Sequence, residues 1–183
     1  MTTVTRDRST AAHERTRILR SKDRFWRPSD LATSGSTTLH LLADLVDAGE
    51  LRRIRRGLYW RGSPSPLGMG YPSTDALVHE ITPGPGVGPT GLYAANLLRL
   101  STQVARRAEI AVPYRAPRDD PGIRFWARPA RQRRQSAGLT PTEVAFLEVL
   151  SDWEETIDLP PAEARDRLLQ LLASGTVRAD RLA

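Results

Sequence analysis

The stretch from Phe25 to Gly62 limits what this chain can fold into more than any other, because it predicts two helices joined by a tight turn and followed by a β-hairpin. Its middle holds four apolar residues at the helical spacing i, i+3, i+4, i+7, namely Leu39, Leu42, Ala43 and Val46. This spacing predicts a helix of about twelve residues that turns these four side chains toward a core. The same helix is then expected to expose a polar face, formed by Thr37, Thr38, His40, Asp44 and Asp47.

Signals on both sides set the limits of this helix. Ser34-Gly35-Ser36 provides a turn and then an oxygen side chain that caps free N–H groups, and Ala48-Gly49 provides a stop. Upstream, Pro28 suits a first helical turn and Asp30 suits its positive end, so residues 28–32 are predicted to form a short helix. The order is therefore helix, turn, helix.

A β-hairpin is predicted next. Residues 50–55 alternate apolar and basic side chains, Arg56-Gly57 forms a turn, and residues 58–61 are aromatic and extended in character. Two short strands after a helix-turn-helix form the wing of a winged helix, and the predicted recognition helix and wing give the candidate DNA-binding residues. These are Ser36, Thr37, Thr38, His40, Arg52, Arg53, Arg55, Arg56 and Arg61.

The arginines of the wing favour DNA as the partner. Guanidinium groups make bidentate contacts with phosphate oxygens, and small hydroxyl groups at the start of a recognition helix reach phosphates or base edges. Two other interpretations stay open: a basic run is often a solvated face, and some helix-turn-helix proteins bind only proteins.

Charge and composition narrow the function further. Residues 1–62 hold 13 Lys and Arg against 7 Asp and Glu, which accounts for the net charge of +6, whereas residues 63–183 hold 14 of each. Within the second part, residues 99–134 carry +7 and residues 135–183 carry −5, so these segments either attract a second partner or neutralise each other across a fold. The lack of cysteine excludes disulfides, thiolate metal sites and cysteine nucleophiles, and we expect a cytoplasmic protein without a membrane span.

The predicted fold class is α+β, with a winged helix-turn-helix domain over residues 1–62, a linker over 63–74 and a second domain over 75–183. The second domain is predicted to be a smaller mixed α/β domain that ends in a helical hairpin. Residues 1–7 are predicted to be a disordered arm before a helix that ends near Arg20. Further helices are expected at 75–81 and 90–100 and after Pro141 and Pro161, with strands at 108–112 and 123–127.

No catalytic, cofactor-binding or metal-binding residues are predicted. Lys22 is the only lysine, and the three histidines lack metal-ligand spacing. The proline-interrupted segment 83–89 lacks the backbone donors of a phosphate loop and is expected to be a turn-rich connector. Arg124, Trp126 and Arg128 share a strand face, which either binds RNA or an acidic protein or is simply solvated.

Several segments together resemble the AbiEi-type antitoxins of bacterial toxin–antitoxin operons, over roughly residues 25–150. The resemblance is carried by AGELRRIRRGLYW, AANLLRLSTQV, AEIAVP and GIRFWAR, and above all by residues 100–104 (LSTQV). The chain departs from the family pattern at Ala105, where the family has proline.

The resemblance implies an N-terminal domain that binds its own promoter and a C-terminal domain that antagonises a nucleotidyltransferase toxin. Double-stranded promoter DNA and this toxin are the implied partners. The candidate partner-binding residues are Arg99, Gln103, Arg124 and Arg128. The alternative is a protein- or RNA-binding adaptor, or a transcriptional regulator without a toxin partner.

Overall fold

The chain is an α+β protein, described here from a computed structural model that covers residues 2–66 and 68–182, with side chains from residue 9 onward. It divides into unit 1, Met1–Ser73, and unit 2, Thr74–Ala183. The boundary falls near the end of the predicted linker, but residues of that linker form a small hairpin in unit 1. Unit 2 is the longer of the two units, so the expectation of a smaller second domain is wrong.

Unit 1 combines two helices with a three-stranded antiparallel sheet in the order β1-β3-β2. Its elements are α1 (Thr2–Arg20), β1 (Arg24–Trp26), a 3-10 turn (Pro28–Asp30), α2 (Gly35–Asp47), β2 (Arg52–Arg55), β3 (Leu58–Arg61), β4 (Pro64–Ser65) and β5 (Gly68–Met69). The helix α1 begins at Thr2, so the prediction of a disordered arm over residues 1–7 is wrong from that residue onward. β1 was not predicted, because three residues are too few to show strand periodicity.

One core joins the helices and the sheet of unit 1. It is formed by Ile18, Trp26, Leu31, Leu41, Leu42, Leu45, Leu51 and Tyr59. Trp26 is fully buried and its indole N–H donates to the Ser21 hydroxyl at 3.1 Å, which fixes the end of α1 against β1. The amide groups of Glu50 and Leu51 both donate to the Leu45 carbonyl, so the end of α2 leads directly into the hairpin.

The buried stripe of α2 lies one residue away from its predicted position. Thr38, Leu41, Leu42 and Leu45 are buried, whereas Leu39 is 57% exposed. Both sets have the spacing i, i+3, i+4, i+7, and the stripe that holds Leu41, Leu42 and Leu45 buries more apolar surface than the one that holds Ala43. The helix was therefore predicted correctly, but its orientation about its own axis was not.

The β2–β3 hairpin turns at Gly57, which has a φ of +74°. This left-handed conformation is accessible to glycine at no steric cost, so Arg56-Gly57 forms the predicted turn. The register shifts between Arg53 and Arg55, which marks a bulge in β2. A bulge raises the local twist of a strand and changes the direction of its side chains.

Unit 2 is built on a small mixed sheet in the order β6-β7-β8, where β7 and β8 are parallel and β6 is antiparallel to β7. Its elements are α3 (Thr74–Ile81), β6 (Gly88–Pro89), α4 (Gly91–Leu97), β7 (Ala108–Val112), β8 (Ile123–Ala127), a 3-10 turn (Pro129–Arg131), α5 (Arg133–Ser136), α6 (Pro141–Ser151), α7 (Trp153–Thr156), α8 (Pro161–Ala173) and a second 3-10 turn (Ala179–Arg181). The two longer strands have the predicted limits.

The predicted connector 83–89 contains β6, which lies directly against the start of α6. A Cβ atom at Gly88 would lie 2.6 Å from the Pro141 carbonyl oxygen, so glycine is required for this approach. The main core of unit 2 then joins α4, α6 and α8. It contains Ala94, Ala95, Leu98, Leu100, Ala145, Phe146, Val149, Ala164, Leu168, Leu171 and Val177. The C-terminal helices thus close the core of unit 2.

The start of α6 has the predicted capping box with proline at the first helical position. The Glu143 amide donates to the Thr140 hydroxyl at 3.3 Å, and the Thr140 amide donates to the Glu143 carboxylate at 2.8 Å. Glu143 is also fully buried and accepts two guanidinium bonds from Arg178, at 2.6 and 2.8 Å. The bond from Arg178 is the main reason that the pKa of Glu143 falls from 4.5 to about 2.

The Glu143→Gln variant tests this pair. A carboxyl group whose pKa is lower in the folded state stabilises the fold at pH values above its ordinary pKa. This stabilisation is lost as the pH falls from 4.5 to about 2. The variant keeps an acceptor for the Thr140 amide but loses the charge that faces Arg178. We therefore expect a loss of about 1–2 kcal/mol at pH 7, discounted because Arg178 is partly exposed, and a smaller difference from wild type at pH 3.

Hydrogen exchange of α6 peptides during urea unfolding at both pH values measures this difference. Glu163→Gln changes an exposed glutamate on α8 and is the matched control. It should leave the free energy of unfolding unchanged at both pH values. A Glu143→Gln loss that is equally large at pH 3 would contradict the assigned pKa.

Candidate nucleic-acid interface

Three arginines at the tip of the β2–β3 hairpin are not engaged by carboxylates. Arg53 and Arg56 are exposed and Arg55 is half-buried, around the bulge and the Gly57 turn. Among the residues that the structure describes, no carboxylate lies in ion-pair contact with any of the three. The hairpin therefore presents guanidinium groups whose charge is not balanced locally.

Two other arginines of the predicted wing have partners within unit 1. The guanidinium of Arg52 lies 5.3 Å from the centre of the Tyr71 ring. Arg61 has a side chain only 11% exposed, and its Nη2 atom lies 3.3 Å from a carboxylate oxygen of Glu50. The prediction that Arg61 faces a ligand is wrong, because the bond to Glu50 turns its side chain back onto the hairpin.

The exposed face of α2 begins near its N-terminus with Ser36, Leu39 and His40. Thr37 is half-buried, and its hydroxyl accepts a bond of 2.9 Å from the Ser34 hydroxyl. Ser34, rather than Ser36, occupies the N-cap position, so Ser36 lies in the first helical turn. Ser36 and His40 are thus exposed as predicted, and Leu39 adds an apolar group between them.

Thr38 does not belong to this face. It is 3% exposed, its hydroxyl lies 2.6 Å from the Thr33 hydroxyl, and it also donates to the Thr33 carbonyl at 3.2 Å. The expectation that Thr38 faces outward is wrong for the same reason that Leu39 was misplaced, namely the one-residue shift of the stripe. Thr38 instead ties α2 to the turn before it.

In unit 2, Arg128 lies in an ion cluster around Glu148, which is fully buried. One carboxylate oxygen accepts from Thr90 Oγ1 at 2.6 Å and from Arg128 Nε at 3.1 Å. The other accepts from Arg131 Nη1 at 2.7 Å and from Arg134 Nη1 at 2.5 Å. The candidate role of Arg128 in partner binding is therefore replaced by a structural one.

The electrostatics of this cluster favour the charged forms of Glu148 and of the arginines around it. Burial alone would raise the pKa of Glu148, but hydrogen bonds from Thr90 and Arg134 and the nearby guanidinium charges lower it below its ordinary value. Burial lowers the pKa of Arg134, opposed by its bond to Glu148, and an arginine remains charged in such a pair. The acidic C-terminal part and the basic middle part thus neutralise each other here, as one of the two interpretations of the sequence predicted.

Arg124 remains exposed on the outer face of β8. Its guanidinium lies 4.1 Å from the centre of the Trp126 ring, and the guanidinium of Arg128 lies 5.9 Å from the same ring. The prediction that Arg124, Trp126 and Arg128 lie on one face is therefore confirmed. The Trp126 indole N–H also donates to Glu109 at 3.4 Å, which balances part of the charge of this face.

The segment 100–104, which carries much of the family resemblance, is held by Asp158. The carboxylate of Asp158 accepts bonds from the Ser101 hydroxyl at 3.1 Å and from both the amide and the hydroxyl of Thr102 at 3.0 Å. These bonds, the Thr102 amide above all, lower the pKa of Asp158 below its ordinary value. Gln103 is exposed beside this anchor and Val104 is 82% exposed, and Arg99 is exposed before it.

One cleft of unit 2 contains a histidine and a tyrosine. A cleft of about 440 Å³ is lined mainly by apolar groups between α3, β6 and α4, and it includes His79 and Tyr93. Burial, with a smaller effect of Asp75, raises the pKa of Tyr93, so this tyrosine is neutral near pH 7. Within residues 2–66 and 68–182, no group of three histidine or acidic side chains is arranged to hold a metal ion, and no helix is long and apolar enough to cross a membrane.

The corrected role of Thr38 leads to a stability prediction. Thr38→Val keeps the shape of the side chain but removes the bonds to Thr33, so we expect a loss of about 1 kcal/mol in the free energy of unfolding. Hydrogen exchange of α2 peptides in urea measures the loss. Ser36→Ala, an exposed position on the same helix, should change the value by less than about 0.5 kcal/mol. Equal effects of the two substitutions would refute the anchoring role of Thr38.

Comparisons with known proteins identify no family for this chain. No protein-family model matches the chain, and no curated protein matches it. The structure of the RV2827C protein from Mycobacterium tuberculosis is similar, with 16% sequence identity, a TM-score of 0.47, and coverage of 95% of this chain and 80% of that chain.

Proposed function

We propose that unit 1 is a winged helix-turn-helix that binds double-stranded DNA, with α2 in the major groove and the β2–β3 hairpin on the phosphate backbone. The observation that carries the proposal is the group of three arginines at the hairpin tip, Arg53, Arg55 and Arg56, which have no ion-pair partner among the residues that the structure describes. They lie in the unit that holds the whole net charge of +6. Phosphate contacts of this kind supply most of the sequence-independent affinity for a duplex.

Three other arginines of unit 1 have partners within the unit. Arg17 pairs with Glu14 at 2.7 Å and donates to the Asp30 carbonyl, and Arg24 lies 4.4 Å from the centre of the Trp26 ring. Arg61 pairs with Glu50. These contacts stabilise the fold, so Arg17, Arg24 and Arg61 are less available to a ligand than the three arginines at the hairpin tip.

The dimensions and surface of α2 also support the proposal. A helix of 13 residues is about 20 Å long, which suits the major groove of a duplex. Its exposed N-terminal half carries Ser36 and His40, which hydrogen-bond to base edges or phosphates. The core beneath it is apolar and continuous with the sheet, so the helix is held firmly.

Single-stranded RNA fits this unit less well than duplex DNA. Proteins that bind single strands stack the bases on exposed aromatic side chains. In unit 1 Trp26, Tyr59 and Trp60 are buried and Phe25 is half-buried. Tyr71 is the one exposed aromatic residue that the structure describes in this unit, and its ring lies against the guanidinium of Arg52. The alternative of an RNA-binding adaptor therefore lacks a stacking platform among these residues.

The double variant Arg53→Ala with Arg56→Ala tests DNA binding. Each neutralised phosphate contributes about −0.9 to the slope of log affinity against log salt, so loss of two contacts should flatten the slope by about 1.8. We expect equal weakening for a duplex from the DNA upstream of its own gene and for a scrambled duplex. Fluorescence anisotropy with the full chain at several salt concentrations measures both quantities.

The matched control replaces two exposed arginines of unit 2, Arg115→Ala with Arg165→Ala, which removes the same charge from the chain. This control should keep the wild-type slope. Unchanged binding in the hairpin variant, or an equal effect of the control, would exclude the hairpin from DNA binding.

We further propose that the chain is the antitoxin of a toxin–antitoxin pair, which rests on the family resemblance. Unit 1 then represses its own promoter, and unit 2 antagonises a nucleotidyltransferase toxin encoded beside it. What supports a role for unit 2 is the anchoring of residues 101–102 by Asp158, because the adjoining Gln103 and Val104 are exposed on a fixed support. A rigid, exposed segment binds a protein partner at a lower entropic cost than a loose one.

Co-expression with the neighbouring nucleotidyltransferase tests this role. The full wild-type chain should restore growth, and Gln103→Ala with Arg124→Ala should restore it less while DNA binding stays unchanged. Glu163→Ala with Arg165→Ala, two exposed positions on α8, is the control and should rescue fully. Failure of the wild-type chain to rescue growth would overturn the antitoxin proposal and leave DNA binding to be judged separately.

A further inference from the structure

Leu39 is the exposed apolar side chain of α2 that the core does not use. It is 57% exposed, while Leu41, Leu42 and Leu45 of the same helix are buried at 8% or less. It lies in the exposed N-terminal half of the helix, one residue before His40 and three after Ser36. Packing within the chain therefore does not explain why a large apolar group occupies this position.

The surroundings of Leu39 set the chemistry of what it contacts. Ala43, one helical turn further along, is also exposed, so the two form a small apolar strip. Hydrogen-bonding side chains, Ser36 and His40, flank the strip, and the same unit carries the net charge of +6. A narrow apolar strip on a cationic unit suits a strongly anionic partner that offers isolated methyl groups.

Duplex DNA has this chemistry in its major groove. The C5 methyl group of thymine is the apolar group that base pairs present there, among hydrogen-bond donors and acceptors. We infer that Leu39 contacts a thymine methyl group in the major groove and thereby determines part of the sequence preference of the chain. The inference rests on the proposed function of unit 1 and adds to it the base that this helix face recognises.

Leucine at this position discriminates by contact area rather than by hydrogen bonding. A buried methyl group contributes about 0.8 kcal/mol, which corresponds to about a fourfold change in affinity. Cytosine, the other pyrimidine of DNA, has no methyl group at C5 and presents in the major groove an amino group for which leucine has no acceptor. Leu39 therefore favours thymine over cytosine on the contacted strand.

The test compares full-length wild type with Leu39→Ala. Each protein first selects its preferred sequence from a pool of random duplexes. The thymines in the wild-type preferred duplex are then replaced one at a time by deoxyuridine, which lacks only the C5 methyl group. Alanine is a good helix former and position 39 is mostly exposed, so the variant should keep the wild-type hydrogen exchange of α2.

The expected result has two parts. Wild-type affinity falls about fourfold when one particular thymine becomes deoxyuridine, and Leu39→Ala binds the thymine duplex about fourfold more weakly without responding to that replacement. Leu169→Ala, with a similarly exposed leucine (49%) on α8, keeps the wild-type response and serves as the control.

Two results would overturn the inference while leaving DNA binding intact. One is a wild type that is indifferent to every deoxyuridine, and the other is a Leu39→Ala variant that still loses about fourfold at the same thymine. Failure of wild type to bind any duplex in a salt-dependent way would instead overturn the proposed function, and this inference with it.

Discussion

A carboxylate without access to water must be paired, and unit 2 is arranged around such a group. Glu148 on α6 accepts hydrogen bonds from Thr90 and from three arginines, all donated by segments outside its own helix. Loss of any one donor would leave part of a buried charge unpaired, which costs more than the pair itself contributes. The end of β8, the 3-10 turn after it and α5 are therefore held against α6 by one side chain.

The same requirement decides which arginines remain for a ligand. Arg128, Arg131 and Arg134 belong to a basic run of the sequence, yet each of them donates to Glu148. In unit 1, Glu14 and Glu50 engage Arg17 and Arg61, whereas none of the carboxylates that the structure describes lies in ion-pair contact with the arginines of the hairpin tip. A basic stretch is thus a weak guide to binding until its carboxylate partners are known.

The sequence predicted those elements whose signals are local. The strands 108–112 and 123–127 and the capping box at Thr140 follow from alternation and from side chains that reach their own backbone, and all three are confirmed. The roles predicted for two of the site residues were wrong, because no local pattern in the sequence indicates their carboxylate partners. Arg61 pairs with Glu50 across the hairpin, and Arg128 pairs with a glutamate 20 residues away, so neither contact shows in the spacing.

The segment 100–104 illustrates a different limit. Its Ser-Thr pair had no local explanation, and its function as an anchor depends on Asp158, which lies 56 residues from Thr102 in the chain. The signal that was available is the pairing of small hydroxyl residues with an acidic residue at a helix break. Such a signal identifies an anchor only once the fold brings the two segments together.

The orientation of α2 was the ambiguity with the largest consequence for function. A shift of the stripe by one residue exchanges Thr38 for Leu39 on the outer face, so a hydroxyl that hydrogen-bonds to any base is replaced by a group that favours only methyl groups. In the proposed complex with DNA, the contribution of the hairpin arginines would come from counterion release and would fall as salt rises, whereas an apolar contact has no such dependence. Sequence preference that comes from Leu39 would therefore be retained in that complex at salt concentrations where the affinity supplied by the hairpin has already fallen, so the two parts of the surface would control different properties.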